Sequence, residues 1–365
     1  MYKKGIRLLI LSLLVIISFI INTMEKEKSN VSTYIESSDD KIHFIAIGSS
    51  DAILIESNGN FALVDAGEDT GTSKENGTQE QLDELNTKGY EEVVVNYLKD
   101  MGVETLEFVI ATHAHSDHIG NMDTIFESFE VKKLYTREYK QTFIDDYGNK
   151  QQLFSLNDEY YWDNKEVFED MITLAENKNI PITYVDEGSN EEELNLKLED
   201  FKIQIVNNNL YNTEKQKEYK IIPSENNNSL GVIVSKGDKK AFLAGDIGNE
   251  DGDEDYLISD SVTKDLLMNI DVLKIGHHGM NGSYNFISYL NPKITIVTGG
   301  NYFYSGQQGY ESLKSINAKN VYTTNENSNI IISFNDDGTI SNNAKIDNFN
   351  KNFWEKIFKY DKRRG

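Results

Sequence analysis

The chain has 365 residues, 38% of them hydrophobic and only 3 of them proline, which excludes an intrinsically disordered polymer. A formal net charge of −24 opposes general binding to phosphate backbones and suits a cationic ligand. Cysteine is absent, so there is neither a disulfide framework nor a thiolate metal site, and any bound metal depends on His, Asp, Glu or Asn.

Residues 1–24 open with Lys3 and Lys4, and Arg7 enters an apolar run over residues 6–21. A basic start before an apolar run reads as a secretion signal or an uncleaved membrane anchor, with the following chain outside. The run is slightly short of the ~20 residues a spanning helix needs, and residues 21–24 offer no small-x-small cleavage site. Residues 25–40 are polar and charged and predict a linker. One domain is then expected over residues 41–345.

Within that domain, residues 42–47 and 52–56 predict strands around a tight turn at 48–51. Asn58-Gly59-Asn60 is a hairpin signal leading into a third strand at 61–65. Val94, Tyr97, Leu98 and Met101 have helical spacing over 91–101, ending before Gly102. A buried strand at 106–111 delivers Thr112 and His113, a helix follows at 123–129, and a short strand at 133–135. In the second half, a helix at 166–177 precedes strands at 182–185 and 201–206. A hairpin of 231–235 with 240–244 ends in Gly245-Asp246. The strand 271–275 ends in Gly276-His277-His278-Gly279, and strands at 294–297 and 330–334 complete the set. This pattern predicts an α+β fold in which two packed sheets carry helices on their outer faces, four layers in the order αββα. The last segment, 346–365, mixes Phe353, Trp354, Ile357 and Phe358 with basic residues and reads as an amphipathic tail.

The chain has six histidines, and three of them fall in Thr112-His113-Ala114-His115-Ser116-Asp117-His118-Ile119-Gly120. His113 and His115, two apart on extended backbone, project to one side, and Asp117 and His118 follow in a turn. Imidazole and carboxylate are the groups that zinc, iron or manganese take where thiolate is missing. A Gly-Asp at a strand end is by itself a turn, and a lone His-His is by itself surface. Behind this motif, in this order, Asp246 and the pair His277-His278 become candidate ligands. His43 reads as a strand residue satisfied by its neighbours.

The order Val64-Asp65-Ala66-Gly67, Thr112 to Gly120, Gly245-Asp246 and Gly276 to Gly279 resembles the metallo-β-lactamase superfamily. Asp51-Ala52, the Asn226-Asn227-Asn228-Ser229-Leu230 stretch and Leu273 to Gly279 are similar to the hydrolase domain of competence DNA-uptake channels. Lys41 to Ile45, Asp51 to Gly59 and Trp162-Asp163-Asn164 resemble the catalytic module of the teichoic acid phosphorylcholine esterases. The likeness runs over most of residues 41–300.

The resemblance implies two divalent ions, zinc with manganese or iron as alternatives. It places one on His113, His115 and Asp246, and the other on Asp117, His118, Asp246 and His278, with Asp246 shared. Asp65 would orient a ligand histidine or its loop, with Asn228 and His277 as further supports. Many members carry another histidine where this chain has Asn226 to Asn228, so the first site would be weaker or completed by water. A hydroxide shared by two ions is a nucleophile at neutral pH, held in line by Asp117. Asp117 and Asp246 are thus the expected catalytic residues and phosphodiesters the expected substrates. Tyr160, Tyr161 and Trp162, like Tyr302-Phe303-Tyr304, could cage a quaternary ammonium. The expectation is therefore an extracytoplasmic phosphodiesterase of the cell envelope acting on a phosphorylcholine ester. A nuclease is disfavoured by the acidic charge, and a surface metal-binding protein with a degenerate site by the complete ligand set.

Overall fold

Alternating apolar positions in three short segments begin the first sheet: β1 (Asp40–Phe44), β2 (Ala52–Ser57) and β3 (Asn60–Ala66), all antiparallel neighbours. The β2–β3 turn uses Asn58 (φ 48°) and Gly59 (φ 77°), the left-handed pair that matches strand twist in a two-residue hairpin. These elements belong to a computed structural model, which describes residues 39–68, 90–139, 142–144, 150–152, 164–209, 225–250 and 252–349. The expected signal or anchor at 1–24, nearly all of the linker, Tyr160, Tyr161, Trp162 and the tail from 350 lie outside the described residues. Among the described residues no helix is long and apolar enough to cross a membrane.

The first sheet grows on one side by parallel addition of β4 (Phe108–Ile110), β5 (Leu134–Thr136) and β6 (Ile182–Tyr184). The second sheet contains β7 (Asn195–Leu198), β8 (Phe201–Val206), β9 (Gly231–Lys236), β10 (Lys239–Leu243), β11 (Val272–Lys274), β12 (Ile294–Val297) and β13 (Val321–Thr323), in chain order. Its β7 to β10 half is antiparallel, and from β10 to β13 the pairs are parallel. The chain then returns to the first sheet, where β14 (Ile330–Phe334) pairs with β1 and β15 (Ile340–Asn342) closes that edge.

Period-2 alternation decides which face each residue serves. Ile42, Ile53, Ile55 and Val64 of the first sheet meet Phe201, Ile203, Val232 and Leu243 of the second in one fully buried core. Phe201 and Phe334 join the sheets through an edge-to-face contact, with centroids 5.1 Å apart and planes at 88°. On the outer face of the first sheet, Leu54 and Val109 pack under Leu98, Phe126 and Met171 from helices. The second sheet covers its outer face with Phe286, Leu290 and Leu313 from helices Tyr284–Leu290 and Gln308–Ser315. The layers are helix, sheet, sheet, helix, as the sequence predicts.

Several boundaries differ for local reasons. The strand expected at 42–47 ends at Phe44, because Ala46 N leaves the ladder to donate to Asn329 Oδ1 at 2.8 Å. The strand expected at 106–111 divides: Thr105–Leu106 pairs with Glu130–Val131, and only Phe108–Ile110 joins the main sheet. Strands β7, β13 and β15 and the helices Tyr284–Leu290 and Gln308–Ser315 are not among the elements the sequence pattern predicts. Asp40, expected to end the linker, is instead a buried strand residue that pairs with Lys236 at 2.5 Å. The fold also extends past residue 345, since the Phe349 ring lies 5.1 Å from that of Tyr310. His43 is satisfied as expected, with Tyr97 Oη at 2.7 Å and Glu56 Oε2 at 3.0 Å from its two ring nitrogens.

Candidate metal centre

Four strands end on the same side of the molecule, and each delivers part of one site. After β4 the chain runs through Thr112 and His113 to His115, whose extended backbone (φ −93°, ψ 145°) starts the short helix Ser116–Ile119. That helix presents Asp117 and His118. After β10 the chain turns at Gly245 (φ 51°), where a Cβ would stand 2.9 Å from Ser229 Cβ, and reaches Asp246. After β11, Gly276 leaves no room for a Cβ, which would lie 2.3 Å from Ile247 O. His277 (φ 49°) and His278 (φ 51°) follow, both in the left-handed region that non-glycine residues occupy only under constraint. Asp65 (φ 56°) sits near the end of β3.

The side chains converge on Asp246. Its Oδ1 is 3.2 Å from His118 Nε2, and its Oδ2 is 4.0 Å from His113 Nε2 and 3.9 Å from His278 Nε2. His115 Nδ1 faces His113 Nε2 at 3.1 Å. Asp117 Oδ2 lies 3.0 Å from His278 Nε2 and 3.9 Å from His118 Nε2. The ligand atoms of His113, His115 and Asp246 lie within 4.8 Å of one another, and so do those of Asp117, His118, Asp246 and His278. These are the two sets that the sequence resemblance implies. Asp246 belongs to both.

The far nitrogens are held from behind. His118 Nδ1 donates to Asp65 Oδ2 at 2.7 Å. His278 Nδ1 lies 3.1 Å from Thr298 Oγ1, and His113 Nδ1 lies 3.1 Å from both Ser229 Oγ and Thr112 Oγ1. Such partners fix ring orientation and tautomer and leave the inward nitrogen for a ligand. Burial pushes His113 well below the usual imidazole range and His115 down to about 4, so both are neutral donors near neutral pH. Burial also opposes charge on His118, but Asp246, Asp117 and Asp65 outweigh it and hold the ring well above its ordinary value.

A divalent ion fits this donor set for a specific reason. His118 Nε2 and both oxygens of Asp246 are buried, yet none has a well-aligned hydrogen bond. Buried polar atoms left this way are unfavourable unless something lies between them. Nitrogen and carboxylate oxygen donors in this number suit zinc, iron or manganese.

Other expected residues are placed differently. His277 keeps a 27% exposed side chain and turns Nε2 to 3.8 Å from Asp246 Oδ2, at the rim of the centre. Asn228 is buried, with Nδ2 3.4 Å from Glu225 Oε2 and Oδ1 without a hydrogen bond. The structure adds Asp51, Lys274, Thr298 and Glu225 to the residues expected at the site. Glu225 Oε1 accepts from Ala114 N at 2.8 Å and anchors the loop between the two histidines. Lys274 had a readable signal: a lysine inside the apolar run Val272-Leu273-Lys274-Ile275 must find a charge partner if that strand is buried. Its partner, Asp51, opens two of the stretches that carry the family resemblance, but nothing local there points to a lysine.

Beside His113 a cavity of about 160 Å³ opens, lined by Arg137, Tyr139, Tyr184, Asp186 and Glu187 among others. Arg137 donates to Asn209 O at 2.9 Å and Asn228 O at 3.4 Å.

A model of the metallo-beta-lactamase superfamily matches residues 46–297. ComE operon protein 3 of Bacillus subtilis (strain 168) is 25% identical over 246 residues, covering 66% of this chain. The chain spans 26% of that relative's length. Among solved structures, the metallo-beta-lactamase fold protein YhfI from Bacillus subtilis is 11% identical, covers 78% of this chain and 96% of that one, and gives a TM-score of 0.42. CmlA, a diiron beta-hydroxylase from Streptomyces venezuelae, is also 11% identical, covers 76% of this chain and 47% of that one, and gives 0.37.

Proposed function

Because the chain belongs to the metallo-beta-lactamase superfamily, we propose that it is a metal-dependent hydrolase that cleaves phosphodiesters, phosphorylcholine esters foremost, outside the membrane. The observation that carries this reading is Asp246, whose buried carboxylate faces histidines of both clusters without a hydrogen bond of its own. His113, His115 and Asp246 would hold one divalent ion, and Asp117, His118, Asp246 and His278 the other, with zinc favoured over manganese or iron. When bound, such a pair supplies Lewis acidity toward a phosphoryl oxygen and makes water more acidic.

The chain's own groups do the rest. Asp117 keeps an 18% exposed side chain, so of the two expected catalytic carboxylates it is the one that can reach incoming water. Burial works against its charge, but His118 and His278 hold the carboxyl far below its usual range, so it stays an acceptor that orients water. Asp65, Thr298 and Ser229 keep three histidine rings from swinging away.

Two observations support the zwitterionic substrate. The cavity beside His113 is lined by Tyr139 and Tyr184 together with the carboxylates Asp186 and Glu187, chemistry that suits a cationic head group. The formal net charge of −24 disfavours a polyanion at long range. For location, the support is the basic start and apolar run within residues 1–24.

The test is turnover of p-nitrophenylphosphorylcholine, bis-p-nitrophenyl phosphate and single-stranded DNA by the purified chain with zinc or manganese. The choline ester should be cleaved fastest. Faster cutting of DNA hands the site to a nuclease reading, and no turnover of any of the three leaves a metal-binding surface protein.

A further inference from the structure

The strand Val272–Lys274 ends in a lysine whose side chain is wholly buried behind the metal centre. Its Nζ donates to Gly245 O at 2.7 Å, forms an ion pair with Asp51 Oδ2, and stands 3.6 Å from Asp246 Oδ1. Asp51 in turn sets Oδ1 at 3.6 Å from His278 Nδ1 and Oδ2 at 3.8 Å from His118 Nδ1. The participants come from different parts of the fold: Asp51 precedes β2 in the first sheet, while in the second Asp246 follows β10 by three residues and Lys274 ends β11.

An ammonium is not buried without compensation, and here the compensation is directed. Asp51, Asp65 and His118 bring their ligand atoms within 4.8 Å of one another, a grouping with the chemistry of a cation site. The ammonium of Lys274 lies against it. On the other side of Asp246, Oδ2 is left nearly equidistant from His113 and His278, at 4.0 and 3.9 Å.

We propose that Lys274 is a positioning residue, a resident cation that fixes Asp246 with Oδ1 held between the ammonium and His118 Nε2 and Oδ2 turned between His113 and His278. Asp51 holds the ammonium in place and links it to the rings of His118 and His278. The inference depends on the reading of this centre as a two-ion site, though not on any substrate. A lysine that only balanced charge for folding would have no effect on ion content once Asp51 was neutralised as well.

That difference sets the experiment. Zinc per chain and zinc affinity are measured on wild type, Lys274→Met, Lys274→Ala and the double variant Asp51→Asn/Lys274→Met, with near-ultraviolet circular dichroism to verify the fold. The double variant removes one buried positive and one buried negative charge together and so leaves the net buried charge unchanged, which lets it decide the matter even where the single variants do not fold. It should fold and bind its more weakly held zinc at least about tenfold less tightly than wild type, the effect expected when a ligand's support is lost. Lys274→Ala should regain zinc and thermal stability with methylammonium, which fits the space vacated, and not with tetramethylammonium. Two zinc ions held as tightly by the double variant as by wild type overturn the proposal. So does a Lys274→Ala defect that methylammonium does not relieve. A wild-type chain that takes up no zinc, manganese or iron overturns instead the two-ion reading beneath it.

Discussion

Asp65 and His118 are joined by a 2.7 Å hydrogen bond, and the aspartate makes it from a left-handed backbone with φ of 56°. The same carboxylate accepts from the backbone N and Oγ1 of Thr112, both at 2.8 Å, so one side chain orients a ligand ring and the loop that carries His113. A non-glycine residue in this conformation is strained, and three convergent hydrogen bonds are what hold it there. Asp65→Asn should weaken divalent-ion binding about 10- to 100-fold, as measured by competition with a chelating dye. Unchanged affinity in a folded Asp65→Ala variant would remove this role.

Ion content should follow the geometry of sharing. Wild-type protein prepared without chelator is expected to hold about two divalent ions per chain, and chelation should lower its melting temperature. His115→Ala, which touches one ligand set, should retain about one ion; Asp246→Ala, which touches both, should retain less. Equal ion content in the two variants would break the link to a shared Asp246.

Glu254 gives a pH prediction away from the ligands. Burial pushes its carboxyl up from 4.5 to about 7, against hydrogen bonding from Ser283 N at 2.7 Å. With the folded value above the unfolded one, the neutral acid favours the fold below pH 4.5, and that contribution is lost as pH rises through 7. Glu254→Gln should therefore be more stable than wild type at pH 8, by up to about 3 kcal/mol, and should flatten the melting-temperature profile between pH 5 and 8. Parallel profiles for the two proteins would show that Glu254 is solvated.

The inter-sheet contact of Phe201 with Phe334 predicts a large packing effect. Phe334 is 1% exposed and bridges the sheets at the far edge from the parallel strands. Phe334→Ala should cost about 3–5 kcal/mol in urea unfolding with an unchanged slope, because the facing sheets cannot collapse into the space. A loss below about 1 kcal/mol would mean that β14 and β15 are not held by this core.

The sequence by itself determined the layer architecture and the common side of His113 and His115 for reasons of short range, whereas the division of the ligands into two sets was implied by the family resemblance. Apolar alternation in Ile53-Leu54-Ile55 assigns faces without reference to the rest of the fold, and His113-x-His115 places two rings on one side by backbone period alone. Only the tertiary structure decided what stands behind those ligands. Asp51 and Lys274 are separated by more than half of the chain, and neither carries a local pattern that names the other. They pair because the ends of strands in two different sheets meet at one edge, burying an ammonium that must find a carboxylate there. The same holds for His277 and His278: adjacent in sequence and both on left-handed backbone, they reach Asp246 Oδ2 at 3.8 and 3.9 Å, and only burial by the surrounding fold makes one a buried ligand candidate and leaves the other at the rim.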